Sequence, residues 1–218
     1  MSENRSEKIL QMLQKTFTMP KWTTSSKNPF ETLIVTIISQ NTANRNTAKA
    51  FENLSKHFKM TPEVLAKAET SQIEECLKVA GLYRNKAKTI KQISQIILEK
   101  FHGTLKPILS LPFEEARKTF LQLPGVGPKT ADVVLLFCSG KHTIPIDTHV
   151  NRVSKRLGLV PTNGDYETVR KFLQSLYRSK DYLAIHVLFI LLGRKYCRAR
   201  NPCCNQCPLN PLCPSKRL

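Results

Sequence analysis

The chain has 218 residues, of which 41% are hydrophobic and 23% charged, enough for one to two domains that bury well over half of their unfolded surface. No window supplies the roughly 20 apolar residues of a membrane span, and the opening MSENRSEKIL mixes charges where a secretion signal needs an apolar core, so a cytoplasmic (nucleoid-associated) or nuclear location is expected, with no membrane partner. Thirty-four Lys and Arg against 16 Asp and Glu leave a formal charge of +18; a compact protein tolerates that self-repulsion best when it meets a polyanion, which makes nucleic acid the leading partner.

Ile9, Leu10, Leu13 and Phe17 recur at spacings of three and four, predicting an N-terminal helix with one apolar face that must dock. Asn28-Pro29-Phe30-Glu31 then offers an N-cap, a proline at the first helical position and a reciprocating glutamate ahead of Leu33, Ile34, Ile37 and Ile38. A buried helix ending near Ser39 follows. Start signals recur at Thr61-Pro62 and at Ser71-Gln72-Ile73-Glu74, and stop signals at Gly81, Gly103 and Gly140. About six helices of roughly 8 to 18 residues are therefore expected between 28 and 140. Helical patterns resume over 148–157, 166–177 and 182–192, and no stretch sustains a two-residue alternation. The fold class is all-α. After Asp181 the chain holds no carboxylate side chain, yet it carries Arg194, Lys195, Arg198, Arg200, Lys216 and Arg217, a concentrated positive surface.

The run Leu121-Gln122-Leu123-Pro124-Gly125-Val126-Gly127-Pro128-Lys129-Thr130-Ala131 sets two glycines one residue apart between an amphipathic helix (113–122) and an Ala- and Val-rich helix (129–139). Gly125 and Gly127 permit a sharp turn and close approach to a ligand, and the amides that open the second helix form an anion site suited to a DNA phosphate. The plainer alternative is a structural turn in which Leu123 and Val126 plug the core. Lys129 falls in the first turn of the second helix, where the dipole and the cationic surroundings disfavour an ammonium and leave some free amine, a nucleophile. Asp147 opens the next amphipathic stretch, Val150, Val153 and Leu157; it is either an N-cap alone or a catalytic carboxylate as well.

Of seven cysteines, Cys76 and Cys138 stand alone in helical patterns and the other five lie between 197 and 213. Cys197, Cys204, Cys207 and Cys213 are spaced C-x6-C-x2-C-x5-C on a loop with little core of its own, which needs a metal to fold around. Spacing alone leaves zinc and an iron–sulfur cluster both open. Cys203 is surplus. The intervening Arg198-Ala199-Arg200 stretch reads as a phosphate clamp.

Leu-Pro-Gly-Val-Gly-Pro-Lys-Thr-Ala, then Asp147-Thr148-His149-Val150, then the four cysteines, occur in the order found in the helix-hairpin-helix DNA glycosylase superfamily, and the chain most closely resembles its endonuclease III branch. The likeness runs from Pro29-Phe30-Glu31 through Gly81-Leu82-Tyr83 to Cys213. It implies two helical domains around a cleft: a six-helix barrel over 22–141 with the hairpin, and a discontinuous domain of 1–21 plus 142–218. It further implies a [4Fe-4S] cluster on Cys197, Cys204, Cys207 and Cys213, a hairpin that grips a phosphate through Gly125 and Gly127, Lys129 as nucleophile and Asp147 as assisting carboxylate. His149 is a candidate to orient Asp147. Leu82 stands where the family places a wedge, with a helix-end core residue as the alternative. The family usually has Gln where Asn41 stands, and either Gln40 or Asn41 could fill the gap left by a flipped base. The function implied is removal of oxidised pyrimidines from double-stranded DNA by a monomer, with Schiff-base cleavage at the abasic site. Relatives that excise mispaired adenine or thymine usually lack the hairpin lysine. A uracil or thymine mismatch glycosylase and a non-catalytic DNA-binding module with a structural metal are the competing readings.

Overall fold

The computed structural model describes residues 5–20, 23 and 28–216, so that the expected domain boundary at 21/22 and the cation at Arg217 lie outside the described residues. All elements among the described residues are α-helices and short 3-10 turns, with no strand. Two compact units separate, one of Ser26–Lys141 and one of Met1–Ser25 with His142–Leu218. Each contains a hydrophobic core of its own.

Within Ser26–Lys141 the helices are α2 (Pro29–Ser39), α3 (Asn44–His57), α4 (Pro62–Lys67), α5 (Thr70–Leu77), α6 (Tyr83–Phe101), α7 (Lys106–Ser110), α8 (Phe113–Leu121) and α9 (Pro128–Ser139). Eight described helices replace the expected six or so. Two of them are short: α4, which opens at the expected Thr61-Pro62 start, has six residues and α7 has five, too few turns to display a 3.6-residue period. Asn28 caps α2 as expected, its Oδ1 accepting from the amides of Phe30 and Glu31, and Thr61 caps α4. Helix α5 departs from expectation: it starts at Thr70 with Glu69 at the N-cap position, so Ser71 is not a cap. The unit is centred on α2, whose Leu33, Ile34, Ile37 and Ile38 are fully buried. Truncating any one of them to Ala would cost about 2–5 kcal/mol. Ile90, Ile93 and Ile97 of α6 and Phe120 of α8 close around them.

The other unit comprises α1 (Arg5–Thr16), α10 (Thr148–Arg156), α11 (Tyr166–Leu176), α12 (Tyr182–Lys195) and the cysteine tail. Ile9 and Leu13 of α1 are fully buried in its core beside Val150, Val153, Ile185 and Leu188, and Phe17 packs against Tyr196. The apolar face of the first helix therefore finds its partner in residues more than 130 positions away. Arg5 adds a polar tie, donating to the carbonyls of Leu157 and Leu212. The tail is less coreless than its composition suggests: Leu209 is fully buried and Leu212 packs against the same core.

Candidate active site and cysteine recess

Helices α8 and α9 form a hairpin locked from inside by an ion pair. Asp132, fully buried, accepts from Arg117 Nε at 2.7 Å. Leu123 and Val126 are buried in the core, so the plainer reading of the turn is also satisfied. The two glycines nevertheless have different causes. Gly125 has φ of +71°, and a Cβ there would come within 2.7 Å of Thr89 Cγ2; folding itself demands glycine. Gly127 has φ of −93° and a Cβ would meet nothing within 4 Å. Neither backbone conformation nor packing within the protein demands glycine at that exposed position. Gly127 is the N-cap of α9 with no side-chain cap, and Pro128 follows at the first turn, so the opening amides of α9 are presented as an anion site. Lys129, half-buried, sits in that same turn.

Two loops flank the hairpin. In the first, Gln40 Nε2 donates to Gly125 O at 3.0 Å and lies 3.4 Å from Thr130 Oγ1, so its amide is committed to the hairpin. Asn41 is exposed and left-handed, with φ of +53°. In the second, Leu82 has φ of +48° and is 60% exposed. A leucine that is both strained and solvated gains nothing from core packing, so the helix-end core alternative does not apply to it.

Asp147 is the N-cap of α10 and its Oδ1 accepts from Val150 N at 2.7 Å. Oδ2 takes no part in the cap. Two residues on, burial lowers the His149 imidazole below its ordinary range; Asp147 pulls it upward, while Arg152 and Arg194 press it down. The ring Nδ1 lies 3.0 Å from Arg152 Nη2, so the expected role of orienting Asp147 has a competitor in Arg152. Arg152 also donates to Gly193 O and Cys197 O. Gly193 is needed for this approach, since a Cβ there would stand 2.9 Å from His149 Nδ1.

Cys197, Cys204, Cys207 and Cys213 line one recess together with Leu157, Leu192, Tyr196 and Pro202. Cys203 is not among its walls. Burial raises the Cys207 thiol, and the charges of Cys197, Cys213 and Cys204 raise it further. Cys213 is raised in the same way by burial and by Cys197 and Cys204. Cys207 and Cys213 thus sense the other cysteines of the recess as electrostatic neighbours. Among the described residues no three His, Cys, Asp or Glu side chains converge as a single-ion site; the four thiols stand on the walls of the recess. Arg156 Nη1 approaches Cys197 Sγ at 3.5 Å and donates to Arg198 O, while its Nη2 donates to Ala199 O. The Arg198–Arg200 stretch is held by its backbone and both guanidinium-bearing residues are exposed.

A family profile described as "HhH-GPD superfamily base excision DNA repair protein" matches residues 34–179. The chain belongs to the HhH-GPD superfamily. Endonuclease III of Thermotoga maritima is 38% identical over 186 residues, 85% of this chain and 83% of that protein. Among solved structures, a trapped endonuclease III–DNA covalent intermediate is 31% identical with a TM-score of 0.84, covering 97% of this chain and 96% of the other. A non-covalent endonuclease III–DNA complex is 30% identical with a TM-score of 0.85, covering 98% and 97%. Within the HhH-GPD superfamily the chain falls in the endonuclease III branch, as a base excision repair DNA glycosylase and abasic-site lyase. Three further residues of this HhH-GPD chain hold its candidate machinery in place and carry no motif: Lys86, Arg152 and Arg156. Their partners are mostly carbonyls 40 or more positions away, which no local pattern announces.

Proposed function

We propose that the chain binds double-stranded DNA at damaged bases or abasic sites, excises oxidised pyrimidines and cleaves the strand through a Schiff base on Lys129. The observation that carries this reading is the coincidence, in one helical turn, of an uncapped glycine-opened amide site and a lysine. A phosphate clamp needs the amides but not the amine.

The amides of α9, with Gly127 leaving room, bind a phosphate, and Arg198 and Arg200 take others. Leu82 enters the stack as wedge, and Asn41 fills the space left by the extruded nucleotide, because Gln40 is already bonded to the hairpin. The Lys129 amine attacks the anomeric carbon of the flipped nucleotide. The glycosidic electron pair leaves with the base, which takes up a proton. The second oxygen of the Asp147 carboxylate stabilises the developing cationic sugar. The Lys129 nitrogen, having given up a proton, expels O4′, which is protonated to a hydroxyl, and the iminium between Lys129 and the sugar results; it acidifies the C2′ hydrogen, whose loss as a proton breaks the C3′–O bond and releases the 3′ phosphate by β-elimination.

Cys197, Cys204, Cys207 and Cys213 fit a [4Fe-4S] cluster: four half-buried thiols line one recess with largely apolar walls. When bound it supplies net positive charge to the thiolates and a rigid cross-link for the tail. We read Ser26–Lys141 as the barrel domain and the discontinuous unit as the cluster domain of a monomer.

The test is a panel of duplexes with one defined lesion each. An oxidised pyrimidine should be released with a nick 3′ to the site. Preferential release of uracil or thymine opposite guanine would replace the substrate; tight binding with no release of any base would replace the enzyme by a binding module.

A further inference from the structure

Lys86 lies in the second turn of α6 with only 5% of its surface exposed. The start of a helix is a poor place for a cation, and burial pushes the ammonium below its ordinary range. Its cost is offset by three acceptors for three protons. Nζ donates to Ile38 O at 2.9 Å, to Ala80 O at 3.0 Å and to Thr42 Oγ1 at 2.5 Å. Ile38 and Thr42 bracket the loop that carries Asn41, and Ala80 immediately precedes Gly81 and Leu82. The Thr42 hydroxyl closes the ring, with its proton in reach of Gln40 O and Ala80 O.

The loops joined in this way hold two of the four non-glycine residues with positive φ among the described residues, Asn41 and Leu82. The other two stand elsewhere: His102 ends α6 before Gly103, and Asn201 lies in the cysteine tail. Left-handed backbone costs about 1–3 kcal/mol at such a position and persists only where the surroundings impose it. An ammonium with fixed acceptors on both sides imposes it at once on both loops.

We propose that Lys86 is a positioning residue that joins the Asn41 and Leu82 loops into one rigid two-pronged body, so that wedge and gap filler enter the duplex together. The idea rests on the assignment of those two residues given above. Without the clamp each loop relaxes separately, and the flipped state loses the benefit of having both prongs pre-ordered.

The variants are Lys86→Met, which keeps length and removes charge and donors, and Thr42→Val, which removes the bridging hydroxyl and leaves the buried ammonium. Thr42→Ser is the conservative control. With the full-length protein, three quantities are measured: excision of an oxidised pyrimidine from duplex, borohydride trapping on a single-stranded oligonucleotide containing an abasic site, and fluorescence of 2-aminopurine next to the lesion as a report of unstacking. Thr42→Val and Lys86→Met should lower kcat on duplex about tenfold and diminish the fluorescence rise. Single-strand trapping, which needs no wedge, should stay within about twofold, and Thr42→Ser should restore the duplex reaction.

A double-mutant cycle adds the decisive readout. Asn41→Ala and Leu82→Ala should be strongly non-additive in the wild-type background and nearly additive in the Thr42→Val background. Equal loss on duplex and single strand, or unchanged duplex kinetics in a folded Thr42→Val protein, overturns the clamp. Should Asn41→Ala and Leu82→Ala themselves leave excision and unstacking intact, the wedge and filler assignment fails instead, which the same data reveal independently. If Lys86→Met does not fold, the Thr42 pair alone decides.

Discussion

Two glycines a single residue apart have different surroundings, and substitution separates them. Gly125→Ala must place a Cβ 2.7 Å from Thr89 Cγ2 in a left-handed backbone, so thermal or denaturant unfolding should report a loss of about 2 kcal/mol or more. Gly127→Val meets no neighbour and should cost under about 1 kcal/mol of stability. Its DNA affinity should nonetheless fall about tenfold or more, because charge-assisted amide–phosphate bonds are worth roughly 1.5–3 kcal/mol each; unchanged affinity would remove the hairpin from the interface. His149 gives a pH signature. Its folded-state titration is lowered by burial, so the unfolded chain binds the proton more readily. Its contribution to stability is complete above the unfolded value of about 6.5 and is lost as pH falls below it. Unfolding free energy between pH 7 and pH 5 should drop less in His149→Gln than in the wild type.

At the scale of elements, the hairpin depends on the Arg117–Asp132 pair. Asp132→Ala removes the carboxylate that faces the buried Arg117 guanidinium and should destabilise the protein by about 3–5 kcal/mol; unaffected melting would mean that the pair does not hold the hairpin. The elements also show how far sequence reading reaches. Helix α2 is plain in the chain because Asn28, Pro29 and four aliphatics lie within one segment, and the hairpin because its glycine demand is local. The short α7 is not, since fewer than two turns give no period, and α4 shows only its Thr61-Pro62 start. Lys86 is hidden for another reason: among Arg84, Lys88 and Lys91 it reads as one more solvated cation, and only the distant carbonyls of Ile38 and Ala80 reveal that it is inside. Arg152 and Arg156 are hidden likewise. Gln40 and Asn41 are neighbours of equal promise in the sequence; the bond from Gln40 to Gly125 O distinguishes them.

For the whole molecule, the formal charge of +18 implies binding through phosphates. Affinity for undamaged duplex should fall on the order of a thousandfold between 50 and 200 mM salt if about six phosphates are neutralised, and a flat response would assign the charge another purpose. No helix of the described residues is long and apolar enough to cross a membrane. The cysteine tail ties to the rest of its unit through Leu209, Arg5 and Arg156, so the cluster should support more than the loop. Anaerobically purified protein should contain about four irons and four sulfides, and Cys207→Ala should lose both and melt lower. Stoichiometric zinc without sulfide would refute the cluster.

The proposed role of Lys129 as a nucleophile, and not as a phosphate clamp, is tested by borohydride reduction during the reaction. Wild-type protein on an abasic-site duplex should become covalently joined to the DNA, visible as a shifted band on a denaturing gel. Lys129→Gln should bind the duplex without forming that adduct. Lys129→Arg should also fail to form it, since a guanidinium keeps the charge but stays protonated. A trapped adduct with Lys129→Arg, or with Lys129→Gln, would contradict the account and move the Schiff base to another amine.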